Sequence, residues 1–80
     1  MKTYFVYLLR CRDGTLYCGY TTDVRKRLQV HNAGKGAKYT KSRLPVEVVY
    51  TEEFETKSDA LKRECAIKRM TRQQKQSLFS

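Results

Sequence analysis

From Leu16 to His31 the chain reads LYCGYTTDVRKRLQVH, and this stretch constrains the fold more than any other. It predicts a short strand, a tight turn and a helix. Leu16 to Thr21 has strand character, and Gly19 near its end leaves the backbone open to close approach by another group. Thr22 or Asp23 can accept from the free N–H groups of a first helical turn. The helix then runs to about Asn32, where Ala33-Gly34 ends it. At about 100° per residue, Val24, Arg27, Leu28 and His31 share one arc, with Arg25, Lys26 and Gln29 opposite. An arginine and a histidine on a packing face cost desolvation unless partners or a cleft receive them.

The segment before this unit supplies its platform. Thr3 to Cys11, TYFVYLLRC, is apolar in both parities, as expected of a strand buried on both faces. Arg12-Asp13-Gly14-Thr15 carries the Asp-Gly hairpin signal, in which both turn residues can take positive φ. Leu16 to Thr21 is thus the antiparallel return strand, and Tyr7 and Tyr17 lie on neighbouring strands.

The segment after it, residues 33–44 (AGKGAKYTKSRL), reads as a loop. It carries Lys35, Lys38, Lys41 and Arg43 with no acid among them, and one aromatic, Tyr39. Such a loop suits contact with a phosphate backbone, and a solvated loop accounts for any single lysine equally well. Pro45 closes it. Val46 to Thr51 predicts a third strand, with Val46, Val48 and Tyr50 on one face and Glu47 and Val49 on the other. Glu52 to Glu55 reads as a polar connection. Thr56-Lys57-Ser58-Asp59 is close to a capping box and opens a helix from about Ser58 to Met70. Ala60, Leu61, Cys65 and Ile67 mark its buried side. Glu64 and Lys68 fall in the same arc, with Lys62, Arg63, Ala66 and Arg69 facing out. Leu78 and Phe79 can dock the tail as a last helical turn.

These elements make an α+β fold: a three-stranded antiparallel sheet flanked by helices, in one domain over residues 1–80. Three cysteines (Cys11, Cys18, Cys65) without CxxC spacing argue for reduced thiols, against a disulfide framework or a zinc knuckle. Arg10 and Arg12 interrupt the N-terminal apolar run too early for a secretory signal or a membrane span, so a cytoplasmic address is expected. Seventeen Lys and Arg against eight Asp and Glu leave +9 on 80 residues. That balance favours a polyanionic partner, nucleic acid before a membrane surface or an acidic protein.

The polar residues on the two packing faces form a chemical set. A carboxylate, Glu64, can hold a divalent cation whose shell waters complete. Arg27 can stabilise charge building on a phosphate. A tyrosine, Tyr7 or Tyr17, or else His31, can take a proton from an attacking water. Taken singly, each has a structural explanation: cross-strand aromatic packing for the tyrosines, a helix C-terminal cation for His31, a Lys68 pair for Glu64, and a reach past the core edge to solvent for Arg27.

The order TYFVYLLRC, DGTLYCGYTTDVRKRLQVHN, a third strand and then SDALKRECAIKR resembles the GIY-YIG nuclease domain over about Tyr4 to Arg69, in particular its small stand-alone bacterial members. Phe5-Val6-Tyr7 stands at the first motif and Tyr17-Cys18-Gly19 at the second. The resemblance implies a family helix arginine at Arg27, a histidine at His31 and a metal-binding glutamate at Glu64. It implies a motif tyrosine as general base, most often the second (here Tyr17), with Tyr7 supporting it by hydrogen bonding. One Mg or Mn ion and a DNA substrate, in repair or processing, follow from the same resemblance. Phe5 replaces a family glycine, and the asparagine that several relatives carry beyond the glutamate helix is missing. Relatives commonly take target choice from an attached DNA-binding domain. This chain is therefore expected to cut with little specificity, to need a protein partner or to act only on unusual structures; the alternative is a non-catalytic nucleic-acid-binding module or an adaptor in a repair complex.

Overall fold

The computed structural model describes residues 3–80 and contains seven elements. They are β1 (Tyr4–Arg10), β2 (Leu16–Thr21), α1 (Val24–Asn32), α2 (Lys38–Lys41), β3 (Glu47–Phe54), α3 (Lys57–Lys68) and α4 (Arg72–Ser77). The three strands form an antiparallel sheet in the order β2-β1-β3. β1 is central, which is why its sequence is apolar in both parities: Val6 and Leu8 face one side, Tyr7 and Leu9 the other, and all four are buried.

The sheet therefore carries two cores. On one face Val6, Leu8 and Cys18 pack with Ala60 and Ile67 of α3, and Leu78 and Phe79 close the margin after α4. On the other face Tyr7, Leu9, Cys11 and Val46 pack with Tyr17, Leu28 and Leu44. The tail docks as expected, but through a full helix. Thr71 accepts from Gln74 N–H while the Gln74 side chain accepts from Thr71 N–H, a complete capping box.

The β1–β2 turn differs from the expected form in one respect. Only Gly14 takes positive φ (85°), and Asp13 acts through its side chain, accepting from Thr15 N–H at 3.1 Å. Cys11 N–H reaches Thr15 O at 2.8 Å and Gly14 N–H reaches Cys11 O at 2.9 Å. This is a tight turn followed by a glycine bulge, and the left-handed backbone explains the glycine.

Three further expectations are corrected. Residues 33–44 are not a simple loop, because Lys38–Lys41 forms a helical turn whose Thr40 is fully buried. β3 extends through Glu52 and Glu53 to Phe54, since these residues pair with β1 rather than connecting elements. A register shift between Leu8 and Leu9 also makes Val49 an extra residue: Leu8 pairs with Tyr50 and Leu9 with Val48. Such a bulge moves the residues beyond it to the opposite face. Val48 thus joins the Tyr7 core, and Tyr50 joins the Val6 core instead of sharing a face with Val46.

On α3 the buried line is Ala60 and Ile67, with Glu64 between them. Leu61 (38% exposed) and Cys65 face outward, contrary to the sequence reading. Arg63, expected to face out, is half-buried and donates to Glu52 at 3.0 Å. A helix of twelve residues crossing a small twisted sheet contacts it along a narrow strip, so the apolar arc read from periodicity is wider than the strip that is covered.

Candidate active site

The site lies on the face of the sheet that α1 and α2 cover. The β1–β2 register sets Tyr7 opposite Gly19 and Leu9 opposite Tyr17, so the two tyrosines stand on one face, diagonally adjacent. Gly19 is needed for close approach: a Cβ there would fall 2.5 Å from the Tyr7 hydroxyl oxygen and 2.7 Å from Cζ. The Tyr7 ring thus lies across Gly19, and its hydroxyl reaches toward β2, an edge strand of the sheet.

Asp23 caps α1, accepting from Lys26 N–H at 3.0 Å, and the helix sets His31 over the tyrosines. His31 is fully buried. The Tyr7 hydroxyl and His31 Nε2 are 3.1 Å apart, and His31 Nδ1 lies 2.9 Å from Thr40 Oγ1. Thr40 in turn donates to Ala37 O at 2.9 Å. Tyr17 meets His31 edge-on at 5.5 Å between ring centres and stacks on Tyr39 at 5.8 Å.

Arg27 is exposed, not buried with its helix neighbours, yet its guanidinium acts on both buried groups. Burial raises the Tyr7 hydroxyl above its ordinary 10.0, and Arg27 opposes that rise. Burial, and then the Arg27 charge, push His31 below 6.5. His31 is accordingly neutral at pH 7 and able to accept a proton. A cleft of about 160 Å³ opens beside Arg27, lined by Thr21, Thr22, Asp23, Lys26 and Val30.

A neutral buried imidazole makes stability depend on pH. The unfolded chain takes up a proton at His31 as pH falls through 6.5, while the folded chain resists it. Stability is therefore complete above that pH and declines below it, by at most about 1.4 kcal/mol per pH unit. His31 is the only histidine, so a fall in urea midpoint between pH 7 and 5 reports on it. A flat midpoint across that window would contradict the burial of a neutral ring.

Glu64 stands apart from this cluster. α1 and α3 cover opposite faces of the sheet, so the two helices do not line one cleft from the same side. Glu64 lies under β2: its carbonyl is 4.0 Å from Cys18 Sγ, and Cys18 sits between Tyr17 and Gly19. Burial, and then the Glu64 charge, push the Cys18 thiol up to about 11, so it stays protonated. The Glu64 side chain is only 16% exposed, and Lys68 approaches it at 3.6 Å. Among the described residues no three His, Cys, Asp or Glu side chains converge. Glu64, a single hard carboxylate, would suit an Mg or Mn ion whose other ligands are waters.

The basic segment divides in two. Lys35, Lys38 and Lys41 are exposed. Arg43 is engaged: it pairs with Asp13 at 3.1 Å, donates to Tyr39 O at 2.7 Å and lies 4.1 Å over the Tyr39 ring. Asp13 from the hairpin turn supplies the acid that the loop itself lacks. Arg43 thereby steadies Tyr39 against Tyr17.

Sequence reasoning missed two contributors, Thr40 and Gly36. A Cβ on Gly36 would come within 2.7 Å of His31 Cγ and 2.8 Å of Cε1, so the backbone lies directly against the ring. The glycine is visible in GKGAKYT, where a glycine in a loop carries no signal of a ring packed against it. Nothing in the sequence tied Thr40 to His31.

Residues 3–77 match the family model described as the GIY-YIG catalytic domain. The chain belongs to the GIY-YIG family. A UPF0213 protein of Staphylococcus saprophyticus is 54% identical over 80 residues, covering 100% of this chain and 98% of the relative. A UPF0213 protein of Staphylococcus aureus is 58% identical over 79 residues, covering 99% and 96%. The solution NMR structure of a UPF0213 protein from Bacillus halodurans matches with TM-score 0.61 and 45% identity, over 95% of this chain and 81% of that one. A second NMR structure, of a protein from E. faecalis, matches with TM-score 0.66 and 48% identity, over 96% and 82%. Both NMR structures share the three-stranded sheet and its helices. Among the described residues no helix is long and apolar enough to cross a membrane.

Proposed function

We propose that this GIY-YIG protein is a metal-dependent endonuclease that hydrolyses phosphodiester bonds in DNA, with Tyr7, Tyr17, Arg27, His31 and Glu64 as its site. The observation that carries this reading is the buried Tyr7–His31 hydrogen bond beside an exposed arginine. A hydroxyl held against a neutral imidazole has a place to send its proton. As Tyr7 takes a proton from the attacking water, it passes its own to His31 Nε2. The water oxygen bonds to phosphorus, the bridging P–O bond breaks, and the leaving oxygen takes a proton from solvent. Arg27 offers a planar, permanently charged donor fork to the phosphate in the adjacent cleft. Tyr17, edge-on to His31 and stacked on Tyr39, forms the wall against which the substrate strand rests.

Glu64 would hold one Mg or Mn ion, which when bound supplies positive charge to the phosphate oxygens. β2 is an edge strand whose alternate residues face opposite ways, so a phosphate at that edge meets the Tyr7 side and the Glu64 side together. In this reading the proton goes to Tyr7, where the family resemblance placed the base at Tyr17.

The exposed lysines serve the backbone, and a protein partner or an unusual DNA structure supplies target choice. Replacing Lys35, Lys38 and Lys41 with alanine should lower DNA affinity and reduce the slope of log K against log salt by up to about 3. Fluorescence anisotropy over a salt series measures it; an unchanged slope removes these lysines from the interface. The activity itself is tested by nicking of supercoiled plasmid with Mg or Mn. Salt-dependent binding without cleavage under any metal would leave a nucleic-acid-binding module.

A further inference from the structure

Each donor and acceptor in the chain behind Tyr7 can be assigned. The hydroxyl proton of Thr40 is committed to Ala37 O. Toward His31 the Thr40 oxygen can therefore only accept, which requires a proton on Nδ1. In the neutral ring Nε2 then carries the lone pair, and the Tyr7 hydroxyl must donate to it. Gly36 closes the remaining approach, since its backbone lies against the ring where any side chain would collide. Thr40 and His31 are both fully buried, so water does not substitute for either partner.

We propose that Thr40 is a positioning residue: it holds His31 in the Nδ1–H tautomer and so keeps Nε2 open to the proton of Tyr7. This rests on the Tyr7–His31 relay proposed above. Thr40 accepts from the neutral ring and, more strongly, from the imidazolium that proton transfer creates, so it need not reorganise during the step. No carboxylate takes this place. The groups facing His31 are Tyr7 from β1, Tyr17 from β2, Arg27 from α1, and Tyr39 and Thr40 from α2. A hydroxyl therefore orients the ring without neutralising Arg27, which is left for the phosphate.

The test combines the tautomer with the pH profile. In long-range proton–nitrogen NMR spectra of histidine-labelled protein above pH 7, His31 should show a protonated-type Nδ1 and a lone-pair-type Nε2. Thr40→Val, which keeps the shape and removes the acceptor, should move population to the Nε2–H form. It should also lower nicking by about tenfold or more and move the acidic limb of the rate profile to lower pH, because the imidazolium loses an acceptor. Thr40→Ser should restore tautomer, rate and limb. A loss of packing alone would lower the rate with tautomer and limb unmoved, and that result overturns the proposal. A wild-type spectrum with the proton on Nε2 also overturns it, even if Thr40→Val does not fold. If the wild type shows the Nδ1–H tautomer but never nicks DNA, the nuclease reading fails while the assignment of Thr40 as the ring's anchor stands.

Discussion

Glu64→Ala protein should leave supercoiled plasmid intact under Mg or Mn while binding DNA as the wild type does. The loss should exceed about 10³-fold, because a bound cation supplies several kcal/mol of charge stabilisation at a phosphate. The fold should survive. Glu64 forms one ion pair within α3, with a lysine that is 52% exposed, and such pairs contribute only about 0.3–0.5 kcal/mol. The nearby buried residues, Ala60 and Ile67, are untouched. Two readouts separate the roles. Mn binding followed by paramagnetic relaxation should disappear with the carboxylate, whereas the thermal midpoint should move little. Metal-dependent nicking that persists in purified Glu64→Ala protein would remove Glu64 from the mechanism and leave its pair with Lys68 as its whole function.

Tyr7→Phe should cost between about 10²- and 10⁴-fold in nicking, the range for losing a general base. Tyr17→Phe should cost much less. The contrast follows from position. Tyr7 is 2% exposed, lies across Gly19 and holds the hydrogen bond to His31. Tyr17 meets the same ring edge-on and is stacked on Tyr39, contacts that phenylalanine retains. Removing the Tyr7 hydroxyl also leaves His31 Nε2 buried without a partner, at about 1–3 kcal/mol of stability. The rate loss must therefore be read at a temperature where both variants are folded. If Tyr17→Phe is the more damaging change, the general base is Tyr17, and Tyr7 serves to support it through His31.

The residues proposed for this site stand out in the sequence because the chemistry is unusual for their places. An arginine and a histidine on an apolar helix face, and a glutamate between Ala60 and Ile67, each conflict with packing. Such conflicts show in the periodicity of a single helix. The same logic failed at Leu61 and Cys65, where apolar side chains lie beyond the strip of α3 that the sheet covers. At Arg27 the structure takes the second of the two readings open to the sequence: the long side chain leaves the face on which its Cα sits and remains exposed.

Local sequence thus determined the order of the three strands and of α1 and α3, the burial of β1 on both faces, the hairpin at Asp13-Gly14, a cap at Thr22 or Asp23 and another at Thr56, and the pairing of Arg27 with His31 on one helix. These depend on neighbours within a turn or on the two-residue alternation of a strand. Tertiary structure alone decided the bulge at Val49, the separation of Glu64 from the tyrosines across the sheet, the capture of Arg43 by Asp13, and the contacts of Thr40 and Gly36 with His31. Each of these joins residues whose separation in the chain carries no periodic signal. Their partners are set by register and by which face of the sheet a helix covers, and neither is encoded within a single element.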